Sequence, residues 1–188
     1  MSKVASSSNT KTQSTRAASH KSGPTEPLEL PEWVPYRCSA IANHVSACLE
    51  SMYGKRYGLS VVGWRVMAVL GSDASLSATQ VAEQTAMDPV QVTRTINHLT
   101  SLSLLSRRVD KEDRRRVVLN LSKKGWSVYN EIVPVARGIE RALLASFSPQ
   151  ERQQLQELTG KLLEAAERIL PLGVDWRPFV TQNNSATR

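Results

Sequence analysis

Apolar residues recur along this chain with two different periods. From Tyr36 to Tyr57 they fall at Ile41, Val45, Cys48, Leu49 and Met52, the spacing of one helix face. Gly58 ends that helix, and Ser60 is placed to cap a second one through Leu70, stopped by Gly71. Ser77 caps a short third helix over Ala78 to Gln84 that buries Val81 and Ala82. Thr85, Ala86 and Met87 make a turn. Asp88 then caps a fourth helix, with Pro89 at its first position, where a missing N–H costs nothing. Val92, Ile96, Leu99 and then Leu102 or Leu105 form its buried stripe. The period next switches to two. Val117, Leu119 and Leu121 alternate as in a strand, and Ser106 to Val109 can supply its partner. Ser122 caps a fifth helix running to about Phe147, with a bend at Pro134. Ser148-Pro149-Gln150-Glu151 is a capping box that opens a sixth helix. Its apolar face carries Leu155, Leu158, Leu162, Leu163, Ile169 and Leu170, and Gly160 weakens it slightly.

This order predicts a mainly α fold with one small β-hairpin, a winged helix-turn-helix flanked by helices at both ends. The boundaries follow the breaks in the pattern: a tail over 1–29, a first helical part over 30–57, the winged domain over 58–122, two long helices over 123–170 and a tail over 171–188. The final residues read as loose, with Trp176 and Phe179 available to dock. No internal repeat is visible.

Charge changes the picture. The chain carries a formal net charge of +7 and has a pI of about 9.7, which favours a polyanionic partner. Basic residues cluster in one loop. The loop between the two strands holds Lys111, Arg114, Arg115 and Arg116, more positive charge than a turn needs. A basic loop on a rigid hairpin beside a helix pair suits a DNA duplex, with a helix in the major groove and the loop on the backbone or minor groove. The polar face of the fourth helix holds Gln91, Thr93, Arg94, Asn97 and His98. Arginine can bind guanine bidentately, Gln and Asn can do so with adenine, and a Thr methyl suits thymine. Ser77 and Thr79, at the start of the third helix, join this candidate set. The first 25 residues are rich in Ser and Thr, contain Lys3, Lys11, Arg16 and Lys21, and lack acids. They read as a disordered basic tail that adds non-specific DNA affinity, rather than as a transit peptide, because no apolar helical face is present.

Other chemistries find little support. There is no Gly-rich phosphate loop, metal-ligand spacing or nucleophile motif, and the three histidines, His20, His44 and His98, form no ligand pair on one helix. The chain is therefore expected not to be an enzyme and to need no cofactor or metal. Its most apolar run, Val61 to Leu70, is short and interrupted by Arg65, so no membrane span is expected. Cys38 and Cys48, on one helix, would lie roughly 15 Å apart, too far for a disulfide. Reduced thiols in a cytoplasmic protein follow.

The stretch Asp110-Lys111-Glu112-Asp113-Arg114-Arg115, followed by Val118-Leu119-Asn120-Leu121-Ser122 and Lys124-Gly125, resembles the wing signature of the MarR family of winged-helix transcription regulators. Ser77-x-x-x-Val81-Ala82 and Leu99-x-x-x-x-Leu104-Leu105-x-Arg107 extend the resemblance, which covers roughly Tyr36 to Leu170. The family usually has Gly-Leu where this chain has Ser103-Leu104. The resemblance implies a homodimer joined through its N- and C-terminal helices. It implies a pseudo-palindromic operator, repression of nearby genes, and release by a small aromatic acid or phenolic effector. In the wing, it implies that Asp113 pairs with a nearby Arg to order the loop. Arg115 would then enter the minor groove, whose negative potential a guanidinium can read, while Arg114 and Lys111 meet phosphates.

The family's effector site lies between the dimerisation helices and the winged domain. By that placement its candidates here are Tyr36, Arg37, Asn43, His44, Trp64, Arg65 and Met67. Trp64 could stack on an aromatic ring, and Arg37, His44 or Arg65 could hold a carboxylate or phenolate. Two alternatives stand beside this reading: a thiol-based redox sensor using Cys38, and a winged-helix module used for protein contacts.

Overall fold

A computed structural model of the chain describes residues 27–73, 75–110, 113–171 and 173–181. The basic tail and Lys111 of the wing lie outside the described residues. The chain packs as two units, one ending at Ser39 and one beginning at Ala40. The elements are α1 (Val34–Tyr57), α2 (Val61–Ser72), α3 (Ala78–Thr85), α4 (Pro89–Ser101), β1 (Leu105–Val109), β2 (Val117–Leu121), α5 (Lys123–Leu143), α6 (Pro149–Ile169) and a short α7 (Arg177–Thr181). The helix–turn–helix–hairpin order is the one the hydrophobic pattern predicts.

The caps are where the sequence puts them. The Ser60 hydroxyl accepts from the Gly63 N–H at 3.1 Å. Asp88 Oδ1 accepts from the N–H groups of Val90 and Gln91, each at 2.9 Å. Ser122 accepts from Gly125 N–H at 2.9 Å. Ser77 with Gln80, and Ser148 with Glu151, form complete capping boxes. Each cap satisfies orphan donors of a first turn and is worth about 1 kcal/mol. In the second box both the N–H and the hydroxyl of Ser148 donate to Glu151 at 2.8 Å, which lowers the Glu151 pKa.

The core sits inside the winged domain and at its junctions with α1 and α5. Val66, Met67, Leu70, Val81, Leu99 and Ile132 have no solvent exposure. Full burial of a side chain this size stabilises by about 1.5–3 kcal/mol. The hairpin is antiparallel, with Leu105 opposite Leu121 and Val109 opposite Val117. A bridge from Leu76 to Leu119 ties the segment before α3 onto it, with the Leu119 N–H 2.8 Å from the Leu76 carbonyl.

Several expectations need correction. Gly71 does not stop α2, which runs to Ser72. Its missing side chain serves packing instead: a Cβ there would sit 2.3 Å from the Tyr129 ring. On α1, Ile41 and Cys48 are exposed, and the buried residues are Leu49 and Tyr53. Val45, Leu49 and Met52 of the predicted stripe do pack on the core, Ile41 and Cys48 do not, and Tyr53 joins them. The fifth helix ends at Leu143, four residues before Phe147. The C-terminal stretch is not wholly loose, since Arg177–Thr181 is helical. The sixth helix forms as predicted, but none of its residues is buried.

Two backbone positions explain local sequence. Ser103 has φ of +59°, a left-handed conformation that costs a residue with a Cβ roughly 1–2 kcal/mol. This is the position where the family resemblance leads one to expect Gly. Gly125 is fixed by close approach: an added Cβ would lie 2.1 Å from the Leu104 carbonyl oxygen. The α5 start and the turn into β1 can meet only because residue 125 has no side chain.

Candidate nucleic-acid interface

Helix α4 turns its buried stripe of Val92, Ile96 and Leu99 inward, which leaves Gln91, Thr93, Arg94, Asn97 and His98 exposed. These five are not equivalent. Gln91 and Arg94 project without a protein side-chain partner among the described residues. The Thr93 hydroxyl donates to the Pro89 carbonyl at 2.8 Å, so its methyl is the free group. Asn97 Oδ1 accepts a hydrogen bond from the guanidinium of Arg107 on β1. His98 is turned toward the end of α1, with Nε2 3.4 Å from the Gly58 carbonyl oxygen. The exposed side chains of this face without an occupying partner outside α4 among the described residues therefore narrow to Gln91, Thr93 and Arg94. Ser77 is occupied as a cap, and Thr79 is exposed on α3.

The wing is ordered by Asp113 acting on backbone rather than on an arginine. Its Oδ1 accepts from the Arg115 N–H at 2.9 Å, and its own N–H donates to Asp110 Oδ1 at 3.2 Å. The Asp113 carbonyl accepts from Arg116 N–H at 2.9 Å, and Asp110 N–H donates to the Arg116 carbonyl at 2.8 Å. These bonds close the loop and leave Arg114 and Arg115 exposed at its tip. Among the described residues, the ion pair expected between Asp113 and an Arg does not form. The Asx turn replaces it.

Arg107 and Arg116 were missed as a pair. Arg107 binds Asn97 of α4, and Arg116 binds Gln80 Oε1 of α3, the same oxygen that completes the Ser77 capping box. One arginine on β1 and one at the end of the wing loop thus clamp the hairpin to both helices of the helix-turn-helix. The signal was present in the sequence: Arg107 lies inside the first strand and Arg116 immediately before the alternating run.

The predicted effector residues are scattered. Tyr36 and Arg37 lie exposed in the unit that ends at Ser39, where the Arg37 guanidinium donates to the Pro31 carbonyl. Asn43 and His44 are exposed on α1, and Arg65 is exposed on α2. Met67 is fully buried in the core and offers no polar group to a ligand. Trp64, half-buried, stands in an aromatic row: Tyr53 at 6.2 Å on one side and Tyr129 at 5.9 Å on the other, with Trp126 edge-on to Tyr129 at 5.4 Å. Tyr53 is entirely buried, and its hydroxyl has no hydrogen-bond partner among the described residues. Burial, with the nearby Glu50 carboxylate, pushes its pKa up to about 12. Beside the row, the Tyr57 hydroxyl donates to Glu131, which also pairs with Arg56 at 2.9 Å. That hydrogen bond raises the Tyr57 pKa. Cys38 and Cys48 are free and exposed.

Among the described residues no group of His, Cys, Asp and Glu could hold a metal ion, and no helix is long and apolar enough to cross a membrane. The family model for the MarR family matches residues 57–116, from the end of α1 through the wing. The transcriptional repressor MdtR of Bacillus subtilis is 29% identical over 119 residues, which cover 63% of this chain and 76% of that protein. A MarR/EmrR family transcriptional regulator from Acinetobacter sp. ADP1 superposes with a TM-score of 0.68 at 23% identity, over 76% of this chain and all of that one. Bordetella bronchiseptica BpsR, whose DNA binding is regulated by 6-hydroxynicotinic acid, superposes with a TM-score of 0.63 at 25% identity, over 74% of this chain and 99% of that one. The matched stretch, the order of elements and the clamped wing agree: residues 57–116 match the MarR family, and the fold is the winged-helix fold of its regulators.

Proposed function

We propose that this protein is a ligand-responsive transcriptional repressor, not an enzyme, that binds a pseudo-palindromic DNA operator as a homodimer in the cytoplasm. The observation that carries the reading is the pairing of an exposed Gln91, Thr93 and Arg94 on α4 with an exposed Arg114 and Arg115 on a hairpin clamped to the same helix. The α4 side chains suit base edges in a major groove, and the wing arginines suit phosphates and a narrow minor groove. Lys111 belongs with Arg114 on the phosphates. Dimerisation is supported by α6, whose Leu155, Leu158, Leu162 and Ile169 are exposed along one stripe. A 21-residue amphipathic helix with nothing buried calls for a partner face.

The effector we favour is a small aromatic acid or phenol at the junction of α1, α2 and α5. Trp64 would stack on its ring, Tyr53 would donate to its oxygen, and Arg65 would balance its charge. A buried hydroxyl without a partner costs about 1–3 kcal/mol, and a ligand oxygen at that hydroxyl recovers it. Among the curated and solved relatives, regulation by a hydroxylated aromatic acid is documented for BpsR. By linkage, a ligand that releases DNA must itself bind less tightly to the DNA complex.

The test is a gel-shift titration on an inverted repeat. Arg115→Ala weakens binding about tenfold, in keeping with ~1–3 kcal/mol per specific contact, and leaves the dimer intact. Affinity falls steeply between about 50 and 200 mM salt as counterions are released. Unchanged affinity in the variant together with a flat salt response would remove the DNA-binding assignment. For the effector, titration calorimetry with and without operator should give unequal affinities, and equal ones would reject the coupling.

A further inference from the structure

Helix α6 carries two apolar stripes. Leu155, Leu158, Leu162 and Ile169 share one, and Leu163, Ala166 and Leu170 share the other, roughly a quarter turn away at 3.6 residues per turn. The second stripe faces α3 across a cleft of about 540 Å³. Ala82, Ala86 and Met87 form the facing wall. The volume falls within the range of about 300–1,000 Å³ typical of small-molecule pockets.

The charged residues of this cleft are both acidic. Glu83 stands on α3 and Glu167 on α6, and among the described residues no Lys, Arg or His lines the walls. Neither carboxylate makes an ion pair among the described residues. In a chain of net charge +7, the cleft is a local reversal of sign. An anion would meet two carboxylates there, and a neutral polar molecule would lose water against apolar walls. A molecule with an apolar body and a positive charge meets neither penalty.

We propose that the cleft between α3 and α6 binds a lipophilic organic monocation. Its body packs on Met87, Leu163 and Leu170, and its charge lies between Glu83 and Glu167. This goes beyond the repressor reading and stands apart from the acid or phenol site at Tyr53 and Trp64: the helices differ and the ligand charge is opposite. Both carboxylates are exposed and therefore screened, so selectivity comes from the sign of the charge combined with apolar burial.

The experiment uses tetraphenylphosphonium and tetraphenylborate, ions of similar size and shape and opposite charge, in calorimetric titrations of the full chain. The cation is expected to bind one per chain. The double substitution Glu83→Gln with Glu167→Gln should weaken the cation at least tenfold and leave the anion unchanged or tighter, with circular dichroism and operator binding preserved. Leu163→Ala should weaken the cation several-fold. Three results overturn the proposal: no binding of the cation to the wild-type chain, unchanged cation affinity in the double variant, or an equal loss for both ions. If the wild-type chain ignores the cation while the double variant changes self-association, the cleft is a docking surface for a second copy.

Discussion

The winged domain and the sixth helix are built from the same residue types and end up in opposite states. In the winged domain every apolar stripe meets another: Val81 of α3, Ile96 of α4 and Leu119 of β2 are all within one buried cluster. In α6 the leucines are as regularly spaced, yet Leu158 is 64% exposed and Leu163 58%. Propensity and capping therefore specify both regions equally well, and packing separates them. The winged domain closes its core within one chain. Helix α6 is a complete local structure whose stabilising surface is still uncovered, and helices are held in proteins mainly by such burial.

This contrast can be broken from either side. The largest effect is expected at Gly125, where an added Cβ meets the Leu104 carbonyl at 2.1 Å. Gly125→Ala should destabilise by about 1–3 kcal/mol or more, the usual cost of overpacking, read as a lower urea midpoint. The α6 stripe should behave differently. Leu158→Lys combined with Leu162→Lys should weaken self-association at least tenfold, measured by sedimentation, while the urea midpoint of the resulting monomer's winged domain shows little change. Ser103→Gly relieves a positive φ of 59° and should stabilise by up to about 1 kcal/mol, seen as a raised thermal midpoint. The smallest effect is at Glu151. Its carboxyl is held below the usual range by the N–H and hydroxyl of Ser148. The folded pKa is thus below the unfolded one, so the cap's contribution is present above the ordinary carboxylate range and is lost as pH falls through the lowered value. Helicity measured from pH 5 to 3 should fall in the wild-type chain more than in Glu151→Gln.

Legibility in the sequence follows the range of the interaction involved. Caps at Ser60, Ser77, Asp88, Ser122 and Ser148 were legible because each depends on residues three apart. The hairpin was legible from its apolar run, with Leu105 added, but strict alternation fails at its start, where Val117 is exposed and Val118 buried. What the sequence hid depends on distant partners. Gly71 reads as a helix stop until Tyr129, far along the chain, is found lying on it. Asn97 and His98 share the polar face of α4 with Arg94, but Arg107 and the Gly58 carbonyl occupy them. The effector candidates were the least legible. Met67 is core, and Tyr53 lies one turn beyond Leu49 on the face marked by Val45, Leu49 and Met52, where a tyrosine near a helix end reads equally well as exposed. The row of Tyr53, Trp64, Tyr129 and Trp126 joins three helices, and no local pattern announces it.

The contrast between a closed winged core and an open α6 face bears most directly on self-association. Two recognition helices can enter successive major grooves on one face of DNA only if a dimer holds them about 34–36 Å apart. Sedimentation velocity of the full chain at micromolar concentration tests this. A dimer that falls to monomer when Leu158 and Leu162 become lysine, with α-helical content retained, is the predicted result. A chain that sediments as a monomer at every concentration, with its α6 leucines intact, would contradict it.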